Sequence, residues 1–316
     1  MNLTVKTVFM GTPYFSVSIA EALAKNGFDV IAVVTQPDKA AGRGNKLRPS
    51  PVKQWAQNRN ITVFQPEKVR VPEFVDIMRL LAPQLIVTAA FGQMIPKEIL
   101  DMPQFGCVNV HASLLPKYRG ASPIQQALLD GETNTGISLM YMNEKMDDGD
   151  IIIQQSIEIL PEDNAGTLFE KLADIGKNVI CDYAVLLKNG KPCGTPQNTD
   201  LATYCKKINK EQGNIDWTLD SYTILNTIRA MTPSPGAYSF LNGKRIKIIS
   251  ACISDDNFDE KPGKIICKGK NTLTVVCGKG ALDIIMLQPE GKSVQHIKDF
   301  LNGYKLTAET VFERNI

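Results

Sequence analysis

The chain has 316 residues, of which 43% are hydrophobic and 22% are charged, and its net charge is +2. This is the composition of an ordinary soluble protein, and no segment approaches the length of a membrane span, so a transmembrane protein is excluded. The length exceeds that of a typical single domain and predicts two domains. The first residues enter a strand pattern without the layout of a signal peptide, so we expect a cytoplasmic protein or the mature form of an organellar one.

The first half of the sequence alternates between strand and helix patterns. Strands are predicted at 5–10, 29–35, 62–64, 85–90, 107–111, 135–142 and 151–159, and helices at 16–26, 51–59, 72–81, 121–130 and 167–187. This alternation predicts a doubly wound, Rossmann-like α/β domain over residues 1–188. Gly11 begins no GxGxxG motif, and Thr35 stands near the place of the acidic ribose-binding residue, so a dinucleotide-dependent oxidoreductase is disfavoured.

Residues 36–50, with the sequence QPDKAAGRGNKLRPS, are too rich in Gly, Pro and charge to predict a regular element. Between Gln36 and Arg59 there are six basic side chains against Asp38 alone. A long ordered loop is often functional, and this excess of positive charge would suit a phosphate backbone. A solvated basic loop is the alternative interpretation.

Beyond a Gly/Pro-rich linker at 189–205, short β-like segments separated by Asn-Gly, Pro-Gly and Gly-Lys turns follow one another. They predict a small β-barrel or sandwich over residues 206–316. The seven cysteines include no CxxC pair and no neighbouring histidine cluster, so neither a disulfide framework nor a metal site is predicted.

Polar side chains end the strand at 107–111. Asn109 and His111 are two residues apart and therefore leave the strand on the same face, at the carboxyl end, where open α/β sheets bind ligands. Asp147, in the acidic loop between the next two strands, could supply a carboxylate to the imidazole. An amide donor, a proton carrier and a carboxylate suit direct acyl transfer between two bound substrates.

Each of these residues has a structural alternative. A strand-end Asn or His is often a hydrogen-bonded corner, and an acidic loop is often a cluster of Asx turns or a weak cation site. The convergence of three suitable groups on one sheet edge favours the catalytic interpretation. The apolar loop FGQMIP at 91–96 leaves a neighbouring strand end and could line a flat heteroaromatic pocket, or else serve only as a hydrophobic helix entry.

The motifs NVHASLLP at 109–116, RG at 119–120 and MDDGD at 146–150 resemble the signature of the folate-dependent formyltransferases. The flanking motifs are similar to those of members that act on methionyl-tRNA: FMGTP at 9–13, TQPD at 35–38, AGRG at 41–44, PSPVK at 49–53 and IDW at 215–217. The resemblance implies formyl transfer from 10-formyltetrahydrofolate, as co-substrate, to the α-amine of methionyl initiator tRNA, through a tetrahedral intermediate and without a metal.

The resemblance also implies roles for individual residues. The catalytic trio falls on Asn109, His111 and Asp147, with Met146 where the family has Leu. Folate contacts are expected from Ser113, Leu114, Leu115 and Pro116, and we add Phe91, Gly92 and Met94. The tRNA contacts are expected from Arg43, Lys46, Arg48, Lys206, Lys207 and Lys210.

The second domain resembles the oligonucleotide-binding-like (OB-like) barrel of the family and should hold the tRNA backbone rather than read bases. We expect a monomer that does not bind membranes. Four rival interpretations remain. Glycinamide ribonucleotide transformylases share the trio but normally lack a second domain. Formyltetrahydrofolate hydrolase domains and nucleotide-sugar formyltransferases do not match AGRG, and an RNA-binding protein with a decayed enzyme site conflicts with the intact trio.

Overall fold

The computed structural model describes residues 4–41, 46–256, 258–268, 271–304, 306–307 and 309–314. The chain divides into two compact units. The first holds the chain up to Pro123 together with Asn134–Glu158 and Phe169–Lys206, and the second holds Ile124–Thr133, Ile159–Leu168 and the chain from Lys207 onward. Residues 189–205, predicted as a linker, are therefore grouped with the first unit.

The first unit alternates strands and helices as predicted. Its strands are β1 (Val5–Gly11), β2 (Phe28–Val34), β3 (Lys39–Ala41), β4 (Lys46–Arg48), β5 (Thr62–Phe64), β6 (Leu85–Ala89), β7 (Cys107–His111), β8 (Arg119–Gly120), β9 (Asn134–Tyr141), β10 (Ile151–Glu158) and β11 (Tyr204–Cys205). Its helices are α1 (Tyr14–Lys25), α2 (Pro51–Gln57), α3 (Pro72–Leu81) and α4 (Lys97–Leu100), while α5 (Pro123–Leu129) and α6 (Ala165–Leu187) extend across the division between the units.

The seven-stranded sheet of this unit has the order β10-β9-β7-β6-β1-β2-β5. The strands from β7 to β5 are parallel, whereas β9 is antiparallel to β7 and β10 to β9. The parallel strands are continuous apolar runs because helices cover such a sheet on both faces, and Val8, Phe9 and Met10 of β1 have no exposed surface. The predicted Rossmann-like α/β architecture is confirmed.

Local signals in the sequence set several helix ends. The hydroxyl of Ser50 accepts a hydrogen bond from the amide of Lys53 at 3.1 Å, and Pro51 begins α2, which is a favourable start for a helix. Helix α3 also begins on a proline and ends at Ala82, whose φ of 44° is left-handed.

The expectation that residues 36–50 contain no regular element is wrong. Strands β3 and β4 form an antiparallel pair in which Lys39 lies opposite Arg48. Gly, Pro, Asp and Asn, and to a lesser degree Lys and Ala, are depleted in strands, so the composition of this segment argued against a strand pair. Residues 42–45, including Arg43, lie outside the described residues.

The second unit contains the helices α7 (Ser221–Met231) and α8 (Ile297–Gly303) and an antiparallel sheet. Its strands are β12 (Ala237–Leu241), β13 (Lys244–Ile253), β14 (Ile265–Lys268), β15 (Thr272–Val276), β16 (Ala281–Pro289) and β17 (Gln295–His296), in the order β12-β13-β16-β15-β14 with β17 on β16. Helix α7 was not predicted from the sequence.

The C-terminal segment joins the two ends of this antiparallel sheet. Phe240 of β12 pairs with Glu313, and Lys264, just before β14, pairs with Val311. The buried side chains of Trp217 and Phe312 stack with ring centroids 5.7 Å apart in the core that the sheet encloses. The small β domain predicted from the turn pattern is present as a sheet bridged at its edges.

Within the described part of the chain, no helix has both the length and the apolar character needed to cross a bilayer.

Candidate active site

Strand β7 places Asn109 and His111 at the carboxyl edge of the parallel sheet. The hydroxyl of Thr88, on the neighbouring strand β6, donates to Oδ1 of Asn109 at 2.8 Å. This bond sets the orientation of the Asn109 amide. Because Oδ1 accepts from Thr88, Nδ2 faces the loop that follows β9. Nδ2 donates to Oδ1 of Asp147 at 3.3 Å.

The imidazole of His111 is buried, with 6% of the residue exposed, and its two nitrogens face different partners. Nε2 lies 2.9 Å from the carbonyl oxygen of Tyr118. Because a carbonyl only accepts, Nε2 carries a proton in this contact. Nδ1 then holds the lone pair of the neutral ring, and it lies 3.7 Å from Oδ2 of Asp147. A proton received by His111 is therefore placed on the side that faces the carboxylate.

Asp147 is held by the backbone as well as by its side-chain contacts. Its φ is 50°, a left-handed conformation that is uncommon for a residue other than glycine. The backbone amide of Gly120 donates to its Oδ2 at 2.9 Å. The side chain is only 14% exposed, so water screens its charge less than at the surface. One carboxylate thus contacts Asn109, His111 and Gly120.

The neighbouring Asp148 has a different position. Its carboxylate forms an ion pair with the guanidinium of Arg119, which is 2% exposed, and lies 3.7 Å from Nζ of Lys145. Asp148 is therefore neutralised by cations, while Asp147 faces the imidazole. Asp147, the aspartate that the family motif predicts to be catalytic, is thus the one that contacts Asn109 and His111.

The arrangement has no strong nucleophile. Ser113 has no exposed surface, and its hydroxyl donates to the carbonyl of Lys117 at 2.7 Å, so it does not face the trio as a free hydroxyl. An amide donor, an imidazole and a carboxylate can orient an attacking amine, stabilise charge on an acyl oxygen and move protons. The geometry suits direct acyl transfer rather than a covalent enzyme intermediate.

A cleft of about 360 Å³ lies beside the loop that follows β6. Gly92 and Met94 line it, and Met94 is 55% exposed. Phe91 instead belongs to the apolar core, and its carbonyl accepts from the side-chain amide of Gln36 at 3.1 Å. Of the three residues predicted from this loop, two line the cleft and the third anchors the loop.

The segment Ser113–Pro116 turns against strand β9. The hydroxyl of Ser138 donates to the carbonyl of Ser113 at 2.6 Å and accepts from the amide of Leu115 at 3.0 Å. Ser113 and Leu115 are buried, so the accessible surface of this segment belongs to Leu114 and Pro116, which are half-buried. The two buried residues hold the turn in place.

The basic residues predicted to bind tRNA are exposed wherever their side chains are described, namely Arg48, Lys206, Lys207 and Lys210. The backbone of Lys46 lies in β4, and its side chain, like the whole of Arg43, is outside the described residues. Exposed cations at these four positions are compatible with a polyanionic substrate.

Sequence reasoning missed Gln197, which contacts the backbone of the Asp147 loop and the guanidinium of Arg119. It lies in the segment predicted as a linker, where no periodicity indicates a packed residue. Its only signal was its position within a Gly/Pro-rich stretch, and that signal favoured a solvent-exposed loop.

Two family models match the chain, one described as formyl transferase over residues 5–183 and one described as formyl transferase, C-terminal domain, over residues 207–305. The methionyl-tRNA formyltransferase of Caldanaerobacter subterraneus subsp. tengcongensis is 44% identical over 309 residues, covering 98% of this chain and 100% of that protein. The methionyl-tRNA formyltransferase of Geotalea uraniireducens is 44% identical over 306 residues, covering 97% of each.

The fold has relatives of known structure. An N-formyltransferase of Helicobacter canadensis, solved in complex with folinic acid and dTDP-3-aminofucose, superposes with a TM-score of 0.66 at 21% identity, covering 89% of this chain and 98% of that one. At this level of identity the likeness concerns the fold.

Proposed function

The chain belongs to the formyl transferase family, and from that premise we propose that it transfers the formyl group of 10-formyltetrahydrofolate to the α-amine of methionyl initiator tRNA. The product is N-formylmethionyl-tRNA for translation initiation. The observation that carries this proposal is the convergence of Asn109, His111 and Asp147, with Nδ2 of the first and Nδ1 of the second at 3.3 and 3.7 Å from the carboxylate of the third.

We assign three chemical roles to the trio. Nδ2 of Asn109 has a second hydrogen, beyond the one donated to Asp147, and it stabilises the formyl oxygen as negative charge develops there. His111, with Nε2 bonded to the carbonyl of Tyr118, takes or supplies a proton through Nδ1. The carboxylate of Asp147 stabilises the imidazolium and assists removal of the proton from the attacking amine.

The protein supports these roles by excluding water and by fixing the groups in advance. The imidazole is buried and Thr88 holds the amide of Asn109, so neither side chain must be ordered when the substrates arrive. Because the amine of an aminoacyl ester is less basic than that of a free amino acid, modest proton removal is sufficient.

The folate site is proposed at the sheet edge formed by Ser113–Pro116 and the loop after β6. The cleft of about 360 Å³ supports only the second of these two segments, because residues 92–94 line it together with Gln36 and residues 67–70, and Ser113–Pro116 are not among its lining residues. Met94, Gly92, Leu114 and Pro116 offer accessible surface, while Ser113, Leu115 and Phe91 are buried and hold the two loops. Folate supplies the formyl group when bound, and the chain supplies orientation and proton transfer.

The tRNA site is proposed on the basic side chains of two segments, of which Arg48, Lys206, Lys207 and Lys210 are described and exposed. Arg43, Lys46 and Arg48 of the β3–β4 hairpin region would approach the acceptor end, and Lys206, Lys207 and Lys210 would contact phosphates. The similarity to relatives named methionyl-tRNA formyltransferase supports this substrate over a nucleotide sugar. We further propose a cytoplasmic monomer whose second domain is an OB-like barrel that holds the tRNA backbone.

A formylation assay tests the function. The protein is incubated with 10-formyltetrahydrofolate and either methionyl initiator tRNA, free methionine or an amino sugar nucleotide, and the formylated product is measured. Turnover with methionyl-tRNA and none with the other two amines is expected. Turnover only with the amino sugar, or with none of the three, contradicts the proposal.

A further inference from the structure

We propose that Gln197 is a positioning residue for formyl transfer, because its side-chain amide holds the backbone that carries Asp147 in register with the backbone amide that binds the Asp147 carboxylate. The inference rests on the proposed function for its kinetic consequences. Gln197 lies between the two family-matched segments, which end at residue 183 and resume at residue 207.

The amide of Gln197 makes contacts with both of its ends. Nε2 donates to the carbonyl of Asp147 at 2.9 Å and to that of Gly149 at 2.7 Å. Oε1 accepts from Nη2 and Nε of Arg119 at 2.8 and 3.1 Å. Both hydrogens of the amide and its oxygen are therefore used within one small region.

The loop needs this support because of its backbone conformation. Asp147 has a φ of 50°, and a residue with a side chain stays in that conformation only when its surroundings hold it. On the other side of the loop, Gly149 packs so closely on the carbonyl of Tyr141 that a Cβ at this position would overlap it. The loop is therefore held both by the end of strand β9 and by Gln197.

The contact with Arg119 completes the connection. Arg119 precedes Gly120, whose amide donates to Oδ2 of Asp147 at 2.9 Å. The side-chain amide of Gln197 thus connects the segment that carries the Asp147 carboxylate with the segment whose backbone amide binds that carboxylate. The guanidinium also pairs with Asp148, so the far side of the loop is held by the same cation.

The same segment supports the imidazole. The hydroxyl of Thr203 accepts from the amide of Tyr118 at 2.9 Å, and the carbonyl of Thr203 accepts from the amide of Arg119 at 2.9 Å. The carbonyl of Tyr118 accepts the hydrogen bond from Nε2 of His111. Residues 197–205 therefore hold the partners of both His111 and Asp147, with Gln197 on the carboxylate side.

The test compares Gln197→Met, which keeps the size of the side chain and removes the amide, with Gln155→Met as a matched control. Gln155 bonds Asp182 on the outside of the sheet. Misplacement of a catalytic group by about 1 Å can cost on the order of 100-fold in rate. We expect kcat to fall about 10–100-fold in Gln197→Met with the KM for both substrates within about twofold. The control should retain the kcat of the parent.

Coupling to Asp147 separates positioning from a general structural role. In the Asp147→Ala enzyme, Gln197→Met should lower kcat by less than about twofold, because there is no longer a carboxylate to position. An equal loss of kcat in both backgrounds, or a parental kcat in Gln197→Met alone, overturns the proposal.

If Gln197→Met fails to fold, Gln197→Glu replaces it, since the carboxylate keeps an acceptor for Arg119 but lacks both donors. A parental kcat in that variant also overturns the proposal. Amide hydrogen exchange of peptides spanning 118–121 and 145–150 gives a readout that needs no activity. Faster exchange is expected in either variant. Unchanged exchange refutes the positioning role, whatever the activity of the parent. A parent that formylates no methionyl-tRNA would refute the proposed function separately.

Discussion

Oδ2 of Asp147 lies 3.7 Å from Nδ1 of His111, on the side of the imidazole away from the Nε2–H that donates to the carbonyl of Tyr118. The carbonyl settles which nitrogen carries the proton of the neutral ring, and the carboxylate faces the nitrogen that gains the second proton. A proton that His111 receives in the proposed reaction is therefore placed between the imidazole and the carboxylate.

Replacing Asp147 by Asn should remove the negative charge while keeping the size of the side chain. We expect kcat to fall by about 10²–10⁴-fold, the range for loss of acid–base assistance, with little change in the KM for tRNA. Steady-state kinetics with varied tRNA and folate measure both constants. Asp174→Asn is the control, since Asp174 is exposed on α6 and forms an ion pair with Lys177 on the same helix. A kcat within a few fold of the parent excludes the assigned role.

Replacing Asn109 by Ala should remove the donor to the formyl oxygen. Loss of one such donor costs about 10²–10³-fold in kcat in enzymes that stabilise an oxyanion. Single-turnover formylation at saturating folate measures the chemical step, and Asn189→Ala on the exposed surface serves as control. A loss confined to KM would show instead that Asn109 binds substrate without stabilising the developing charge.

The strand-end pair could be predicted from the sequence because alternation places residues two apart on one face. Asp147 could be predicted only from its motif, because β9 runs antiparallel to β7 and its carboxyl end, at Tyr141, pairs with Val108 near the start of β7. What the sequence could not reveal depends on long-range contacts between side chains and backbone. Gln197 reaches carbonyls about fifty residues away, and no periodicity records such a bond. The burial of Phe91 and Ser113 likewise depends on how their loops turn, which motif matching does not specify.

The strands of the first unit were predicted more accurately than the segments that connect them. Apolar runs predicted the sheet because burial on both faces demands them, and even the edges of β5 and β7 agree with the predicted ranges. The β3–β4 hairpin was missed because glycine and charge mask its pairing. Helix α7 was missed although Asp220 caps it by accepting from the amide of Thr223 at 3.0 Å, since the turn-separated pattern beyond the linker favoured strands.

Replacing Arg43 by Ala should weaken tRNA binding and make it less dependent on salt. Each phosphate contact that is lost lowers the slope of log K against log salt by about 0.7–0.9. Binding of methionyl-tRNA measured between low and moderate salt gives the slope, and Arg48→Ala should behave similarly. Lys25→Ala is the matched control, because Lys25 ends α1 and lies at the edge of the sheet opposite the site. An unchanged slope in Arg43→Ala would show that the loop is merely solvated.

The seven cysteines should divide into two classes of reactivity. All are free thiols, of which Cys107, Cys205 and Cys277 are buried and the other four are exposed. Burial raises the pKa of Cys107 and of Cys277 to about 12, so neither presents a thiolate near neutral pH. Titration of the native protein with a chromogenic disulfide should modify the four exposed thiols before unfolding, more slowly at Cys252 and Cys267, because partial burial raises the pKa of both. Unfolding should release the remaining three. Rapid modification of Cys107 would contradict the burial of β7.

Acid should remove the contribution of Asp38 to stability. Its carboxylate accepts from Nζ of Lys53 and from Nε2 of Gln65, each at 2.7 Å, and the hydrogen bond from Lys53, followed by that from Gln65, lowers the pKa of Asp38 below its usual 3.8. A carboxyl whose pKa is lower in the folded state stabilises that state above the pKa of the unfolded chain. The contribution is lost as pH falls through the folded value.

Asp38→Asn should therefore lower the free energy of unfolding at pH 7 by about 0.2–1 kcal/mol, the range for a partly exposed pair. The difference from the parent should stay constant down to about pH 5 and shrink as the pH approaches and passes below the pKa of about 3.9 that an unfolded Asp has. Urea unfolding of both proteins over this pH series measures it. A difference that is absent at neutral pH, or that persists at full size where both carboxyl groups are protonated, would show that the Lys53 and Gln65 contacts do not act through the charge of Asp38.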